Sequence, residues 1–193
     1  MGMSLPKIED YIVVVKQGVP EGLCDKFINI YKDCGDWEAP NAGYPDIQTY
    51  HSNDARNCSL IYTSDKNNLC KADIRQDLDA EAFKVAADSI KKYTNIFTNC
   101  NTVEDSGYDL LRYETGGYCL QHIDSFSKIP RAVSCSMMLN DDYKGGEFAF
   151  FDRKIKYNLS KGDIIMFPSN YMYPHEIMPI TSGTRYSIIT WFR

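Results

Sequence analysis

The chain predicts an α+β protein, mainly β, with a sandwich or barrel of the jelly-roll kind braced by two early helices. Two observations carry this reading. After about residue 105, short runs of strand composition recur at near-regular spacing with turn residues between them. Before that point lie two segments whose apolar residues repeat at helical spacing. No repeat, linker or low-complexity tract interrupts the 193 residues, a length suited to one well-buried core. The expectation is a single domain over 1–193. Residues 1–105 form a helical and strand support with a loop region, and residues 106–193 the jelly-roll core.

In chain order, "DYIVVVKQ" (10–17) is rich in Val and Ile and reads as a strand. "EGLCDKFINIYKDC" (21–34) places Leu23, Phe27, Ile30 and Tyr31 at helical spacing. Residues 35–57 are dense in Gly, Pro, Asn and Asp, which is loop chemistry. "CSLIYT" (58–63) reads as a strand, and 79–100 as an amphipathic helix with Phe83, Ala86, Ile90, Tyr93 and Ile96 or Phe97 on one side. Eight strands follow, at 108–114, 118–124, 131–140, 146–151, 154–159, 163–168, 173–178 and 185–192. The turns "NDDYKGG", "SKGD" and "TSGT" separate several of them.

Composition narrows the function classes. A net charge of −5 argues against broad binding to a phosphate backbone, which needs clustered Lys and Arg. The start "MGMSLPKIED" has no apolar run of signal-peptide length, and no 18-residue apolar stretch occurs, so a cytoplasmic protein without membrane partners is expected. Seven cysteines lack any Cys-x-x-Cys pair, which predicts reduced and mostly buried thiols rather than a zinc knuckle.

The chemistry concentrates on few residues. His122 and Asp124 stand two apart at a strand end, where alternate side chains share a face. Such a pair is weak evidence alone. His175, on a strand 53 residues downstream, can be brought opposite by a jelly roll. Two His and one carboxylate make the facial triad of non-haem iron sites, although the same ligands suit Zn(II), Mn(II) or Ni(II). Arg185 follows ten residues after His175, with Ser187 on its face. A guanidinium grips a carboxylate bidentately, so this pair would anchor the far end of a 2-oxo acid chelating the metal.

The stretches "YETGGYCLQHID", "GGEFAFF" and "PHEIMPITSGTRYSIITWF" resemble the 2-oxoglutarate- and Fe(II)-dependent oxygenases of the prolyl 4-hydroxylase-like group. The resemblance covers most of residues 107–193 and, more loosely, "DYIVVVKQGVPEGLCDKFI". It implies a double-stranded β-helix (jelly-roll) core. It implies His122, Asp124 and His175 as iron ligands and Arg185 as the partner of the 2-oxoglutarate C5 carboxylate. Tyr113 then corresponds to a tyrosine whose hydroxyl helps bind that cosubstrate, and Trp191 to an aromatic packed near the metal. Two positions depart from relatives. Cys119 stands where a tyrosine often precedes the first ligand His by three, with Tyr118 one position off, and Met138 stands where some relatives carry another tyrosine.

The implied reaction is hydroxylation of a C–H bond with Fe(II), 2-oxoglutarate and O2, ascorbate in support, and succinate and CO2 as coproducts. Halogenating relatives lose the carboxylate that Asp124 supplies, so its presence favours hydroxylation. A prolyl residue in a peptide or protein is the leading substrate, and a free amino acid or other small molecule the second. Demethylases of alkylated nucleic acid resemble a pattern with a further Arg six residues after the first, where Trp191 stands here. The loop 35–57 reads as a lid over the site, with Trp37, Tyr44, Tyr50, His51 and Arg56 as candidate substrate contacts. Two other classes compete: a cupin-like metalloenzyme that uses no 2-oxoglutarate, and a non-catalytic β-sandwich that binds no metal.

Overall fold

The structure, a computed structural model, describes residues 6–40, 55–63 and 72–193. After a 3-10 turn at Ile8–Tyr11 come β1 (Val13–Val15), α1 (Glu21–Tyr31), β2 (Arg56–Asn57), β3 (Ser59–Tyr62) and α2 (Ala72–Ile96). The second half holds β4 (Asp109–Tyr113), β5 (Tyr118–His122), β6 (Val133–Met138), β7 (Lys144–Gly145) and β8 (Phe148–Phe150). It ends with β9 (Ile155–Tyr157), β10 (Ile164–Pro168), β11 (His175–Ile177), β12 (Ile180–Ser182) and β13 (Arg185–Phe192). One sheet has the order β1-β10-β6-β13-β4-β3, the other β2-β5-β11-β8-β9, and β12 with β7 forms a short ribbon. This is the double-stranded β-helix. Strands β1 to β3 join its sheets from the first half of the chain.

Every residue of β6 is buried, because one of its faces meets the helices and the other the second sheet. Alternation sends Val133, Cys135 and Met137 toward the helices and Ser134, Ser136 and Met138 into the jelly roll. The same rule turns Leu110 and Ile188 outward to the helical core, and Leu111, Tyr113, Arg185 and Ser187 inward. Two small hydroxyls in the middle of a buried strand mark the inner face as a polar cleft rather than a packed oil drop.

Three expectations are corrected. In α2 the buried face is Leu78, Ala82, Ala86, Ser89 and Tyr93, while Phe83 and Ile96, expected inside, are exposed. Small residues win the face because they let the helix lie close to the sheet. The helix also begins at Ala72, before the apolar stripe starts. The ribbon of β7 and β12 occupies segments whose composition predicts turns; its strands are two and three residues long, below what periodicity can register. Finally, Cys34 is disulfide-bonded, whereas Cys24, Cys58, Cys100, Cys119 and Cys135 are free thiols as expected. No helix among the described residues is long and apolar enough to cross a membrane.

Candidate metal centre

His122, at the end of β5, lies in register with His175, at the start of β11. The pairing then shifts, so that Ile177 faces Cys119. The four residues Cys119 to His122 of β5 lie across the three residues His175 to Ile177 of β11, and this bulge puts Cys119 and His122 on the same inner face. Asp124 follows as the chain leaves the strand. Its backbone N–H donates to Ser169 O at 3.1 Å, which fixes the carboxylate's approach.

One ligand atom from each of His122, Asp124 and His175 lies within 4.8 Å of the others. His122 Nε2 is 3.5 Å from Asp124 Oδ1, and His175 Nε2 is 3.4 Å from Asp124 Oδ2. Neighbouring donors on a common ion stand about 3 Å apart at bond lengths of ~2.1 Å. The carboxylate is therefore nearly in place toward both rings. Each Nδ1–H donates to a backbone carbonyl two residues earlier, Leu120 O at 2.9 Å and Tyr173 O at 3.1 Å. That leaves the Nε2 lone pairs pointing to the centre. Ser134 Oγ donates to Asp124 Oδ2 at 2.6 Å and lies 2.8 Å from Ser169 Oγ.

Electrostatics ready Asp124 and His175 as ligands. Burial lowers His122, but Cys119 and Asp124 outweigh it and raise it, so that His122 must give up a proton to a metal. Burial pushes the Asp124 carboxyl up, but His175, His122 and the Ser134 hydroxyl outweigh it and hold it well below the usual carboxylate range. Burial takes His175 down to about 4, so it is neutral at pH 7, as a ligand must be. The rings of Phe148, Phe150 and Phe167 surround it, the last at 4.6 Å between centroids. The His122 side chain is 30% exposed against 5% for His175, so the centre opens on the His122 side.

Arg185 is 1% exposed. It donates through one terminal nitrogen to Ser187 Oγ at 2.9 Å and through the other to Met138 Sδ at 3.1 Å, and its guanidinium lies 5.4 Å from the Tyr113 ring centre. Its Nε has no hydrogen-bond partner, and among the described residues no carboxylate pairs with it. Ser136 Oγ, on the same inner wall, is also buried without a partner. A buried cation held only by neutral groups is costly unless an anion arrives. These orphaned donors fit the carboxylate of a 2-oxo acid, and the two His with Asp124 fit Fe(II).

Other expected residues divide. Trp191 shares a register position with Ser134, close to Asp124, and the Arg131 guanidinium lies 3.5 Å over its ring. Arg56 lies on β2 in register with Cys119. Trp37 is corrected: it packs against Arg112 and Tyr186, whose side chains leave the sheet on the helical side, opposite Tyr113 and Arg185. Its indole N–H donates to Tyr31 O at 2.9 Å, so the ring serves the helical core. Tyr44, Tyr50 and His51 lie outside the described residues. Sequence reasoning missed Ser134, Ser136, Asp109 and Arg131. The "SCS" of β6 was the available signal for the serines, since hydroxyls alternating through a buried strand need a polar partner.

Residues 108–193 match the family described as the 2OG-Fe(II) oxygenase superfamily. A PKHD-type hydroxylase of Idiomarina loihiensis is 33% identical over 86 residues, covering 42% of this chain and 38% of the relative. The chain thus spans less than half the length of the curated relatives it matches. Among solved structures, a Pseudomonas putida prolyl-4-hydroxylase superposes with a TM-score of 0.69 at 18% identity, over 95% of this chain and 92% of that one. A Trichoplax adhaerens prolyl hydroxylase in complex with a hypoxia inducible factor oxygen degradation domain peptide fragment gives 0.67 at 17% identity, over 94% and 83%. In fold the chain is similar to these prolyl hydroxylases, and residues 108–193 carry the match to the 2OG-Fe(II) oxygenase superfamily.

Proposed function

We propose that the protein is a 2-oxoglutarate- and Fe(II)-dependent dioxygenase that hydroxylates a C–H bond of a prolyl residue in a peptide or protein. The observation that supports this best is the buried Arg185, without an anion, on the wall of the cleft that holds His122, Asp124 and His175. Bound iron, with 2-oxoglutarate and O2, supplies the oxidising power, with succinate and CO2 as coproducts and ascorbate in support. The chain's own work is to hold and orient. The two Nε2 atoms and Asp124 offer three donors on one side, leaving the other positions for cosubstrate and O2. Arg185 and Ser187 hold the distant carboxylate, and the Tyr113 hydroxyl assists. Trp191, with Arg131 stacked on it, walls the substrate end.

The peptide assignment draws on the likeness to an enzyme solved with a bound peptide. A chain of net charge −5 gives little reason to favour nucleic acid. Purified protein with Fe(II) and ascorbate is expected to convert 2-oxoglutarate to succinate, slowly even without substrate, and His122→Ala to abolish it. Undiminished turnover in that variant would sink the reading. Activity that survives Arg185→Ala would point to a cupin-like enzyme instead. A peptide-array hydroxylation screen read by mass spectrometry, with free amino acids in parallel, tests the substrate.

A further inference from the structure

The cleft holds a second cation that the proposed function leaves unassigned. Arg56 lies on β2, directly opposite Cys119 on β5. Cys119 Sγ is 3.6 Å from His122 Nδ1, so Arg56 stands one register step from the metal histidines. Its Nε donates to Cys58 Sγ at 3.1 Å, a weak neutral acceptor. Among the described residues no ion pair within 4.0 Å ties it to a carboxylate, although its charge reaches the buried Asp109. Tyr113 packs in the same inner core as Cys119, the residue opposite Arg56, and the Arg185 guanidinium lies 5.4 Å from the Tyr113 ring centre.

Position along the cleft decides what Arg56 is for. On the inner wall, β13 runs from Arg185, paired with Tyr113, to Trp191, paired with Ser134 near Asp124. Arg56 adjoins Tyr113 toward the Arg185 end and also acts on Asp109 farther along β4, so it stands between Arg185 and Trp191. A 2-oxo acid that reaches from the metal to Arg185 passes along this stretch. Its charge is concentrated in carboxylates, the groups a guanidinium binds best.

We infer that Arg56 is a second cationic anchor for the 2-oxo-acid cosubstrate, donating to it between the metal centre and Arg185. This rests on the proposed function, because it presupposes that 2-oxoglutarate is the ligand. Arg56 was expected from the sequence to touch the primary substrate, and the inference moves it to the cosubstrate.

The test is calorimetric titration of 2-oxoglutarate into protein loaded with Mn(II), which holds the ligand without turnover. Arg56→Met, which keeps length and removes charge, is expected to weaken 2-oxoglutarate by about tenfold or more, with Mn(II) affinity unchanged. Arg56→Lys should recover part of the loss, since it restores charge without the planar fork. Should Arg56→Met fail to fold, as judged by its melting transition, Arg56→Gln takes its place. Wild-type 2-oxoglutarate affinity in the uncharged variant overturns the inference, as does a parallel loss of Mn(II) binding, which would make Arg56 merely structural. Failure of the Mn(II)-loaded wild-type protein to bind 2-oxoglutarate overturns the proposed function itself, and the inference with it.

Discussion

Asp109 shows at the level of one residue what the cleft gives up in stability. It occupies the inner face of β4, and burial pushes its carboxyl up to about 6 against the opposing influence of Arg56 and Arg131. The folded chain therefore holds this proton more tightly than the unfolded chain does. Asp109 is neutral and harmless below about pH 4, and it costs stability as pH rises through about 6. Asp109→Asn is expected to raise the melting temperature near pH 7.5 by the equivalent of about 1–2 kcal/mol. Near pH 4 it should leave the melting temperature at the wild-type value. An equal gain at both pH values would place its origin outside this carboxyl. A charge kept at such a cost, beside two arginines and the metal cleft, is where function and stability pull apart.

The turn before β8 carries the same tension at the scale of an element. Gly145 and Gly146 both have positive φ, +75 and +70, in the left-handed region that side chains resist. A Cβ on Gly146 would also press on Ile180 and come within 3.2 Å of Arg185 Cδ, so this turn supports the side chain proposed as the cosubstrate anchor. Gly146→Ala is expected to lower stability by about 1–3 kcal/mol and to raise the KM for 2-oxoglutarate through the displaced Arg185. Loss of stability with an unchanged KM would separate turn from anchor. At this scale the sequence was informative about the regular elements. Strands from 108 onward and both helices showed in their periodicity, and the His-x-Asp, the distal His and the Arg ten beyond it showed as spacing. The β5 bulge did not show, because a bulge depends on what lies across the ladder. That is why Tyr118, by counting, looked as near the site as Cys119, although Cys119 is the residue against the ligand His. Trp37 failed for a related reason: a loop aromatic does not reveal which face of a sheet it will cover.

At the scale of the whole molecule, the six-stranded sheet has a core on each side. Leu78, Phe27, Leu110 and Met137 fill the space between helices and sheet, while Phe148, Phe150 and Phe167 fill the jelly roll around His175. The first core stabilises the sheet that carries Arg185, Ser134 and Trp191, but touches no ligand. The second packs directly around His175, a proposed metal ligand. Damage to the two should therefore read out differently. Leu78→Ala, at a fully buried helix position, is expected to cost about 2–5 kcal/mol and lower the urea midpoint. The Mn(II) affinity of the folded protein should stay within twofold of wild type. Phe167→Leu removes only part of a ring and should cost about 1–1.5 kcal/mol. It also frees the His175 ring to rotate away from Asp124, so the weaker folding defect should accompany the larger loss of Mn(II) affinity. The decisive measurement is the ratio of the two effects in each variant. If metal affinity simply tracked stability across both, the jelly-roll aromatics would be ordinary filling, and the orientation of His175 would have to come from its Nδ1 bond to Tyr173 O alone.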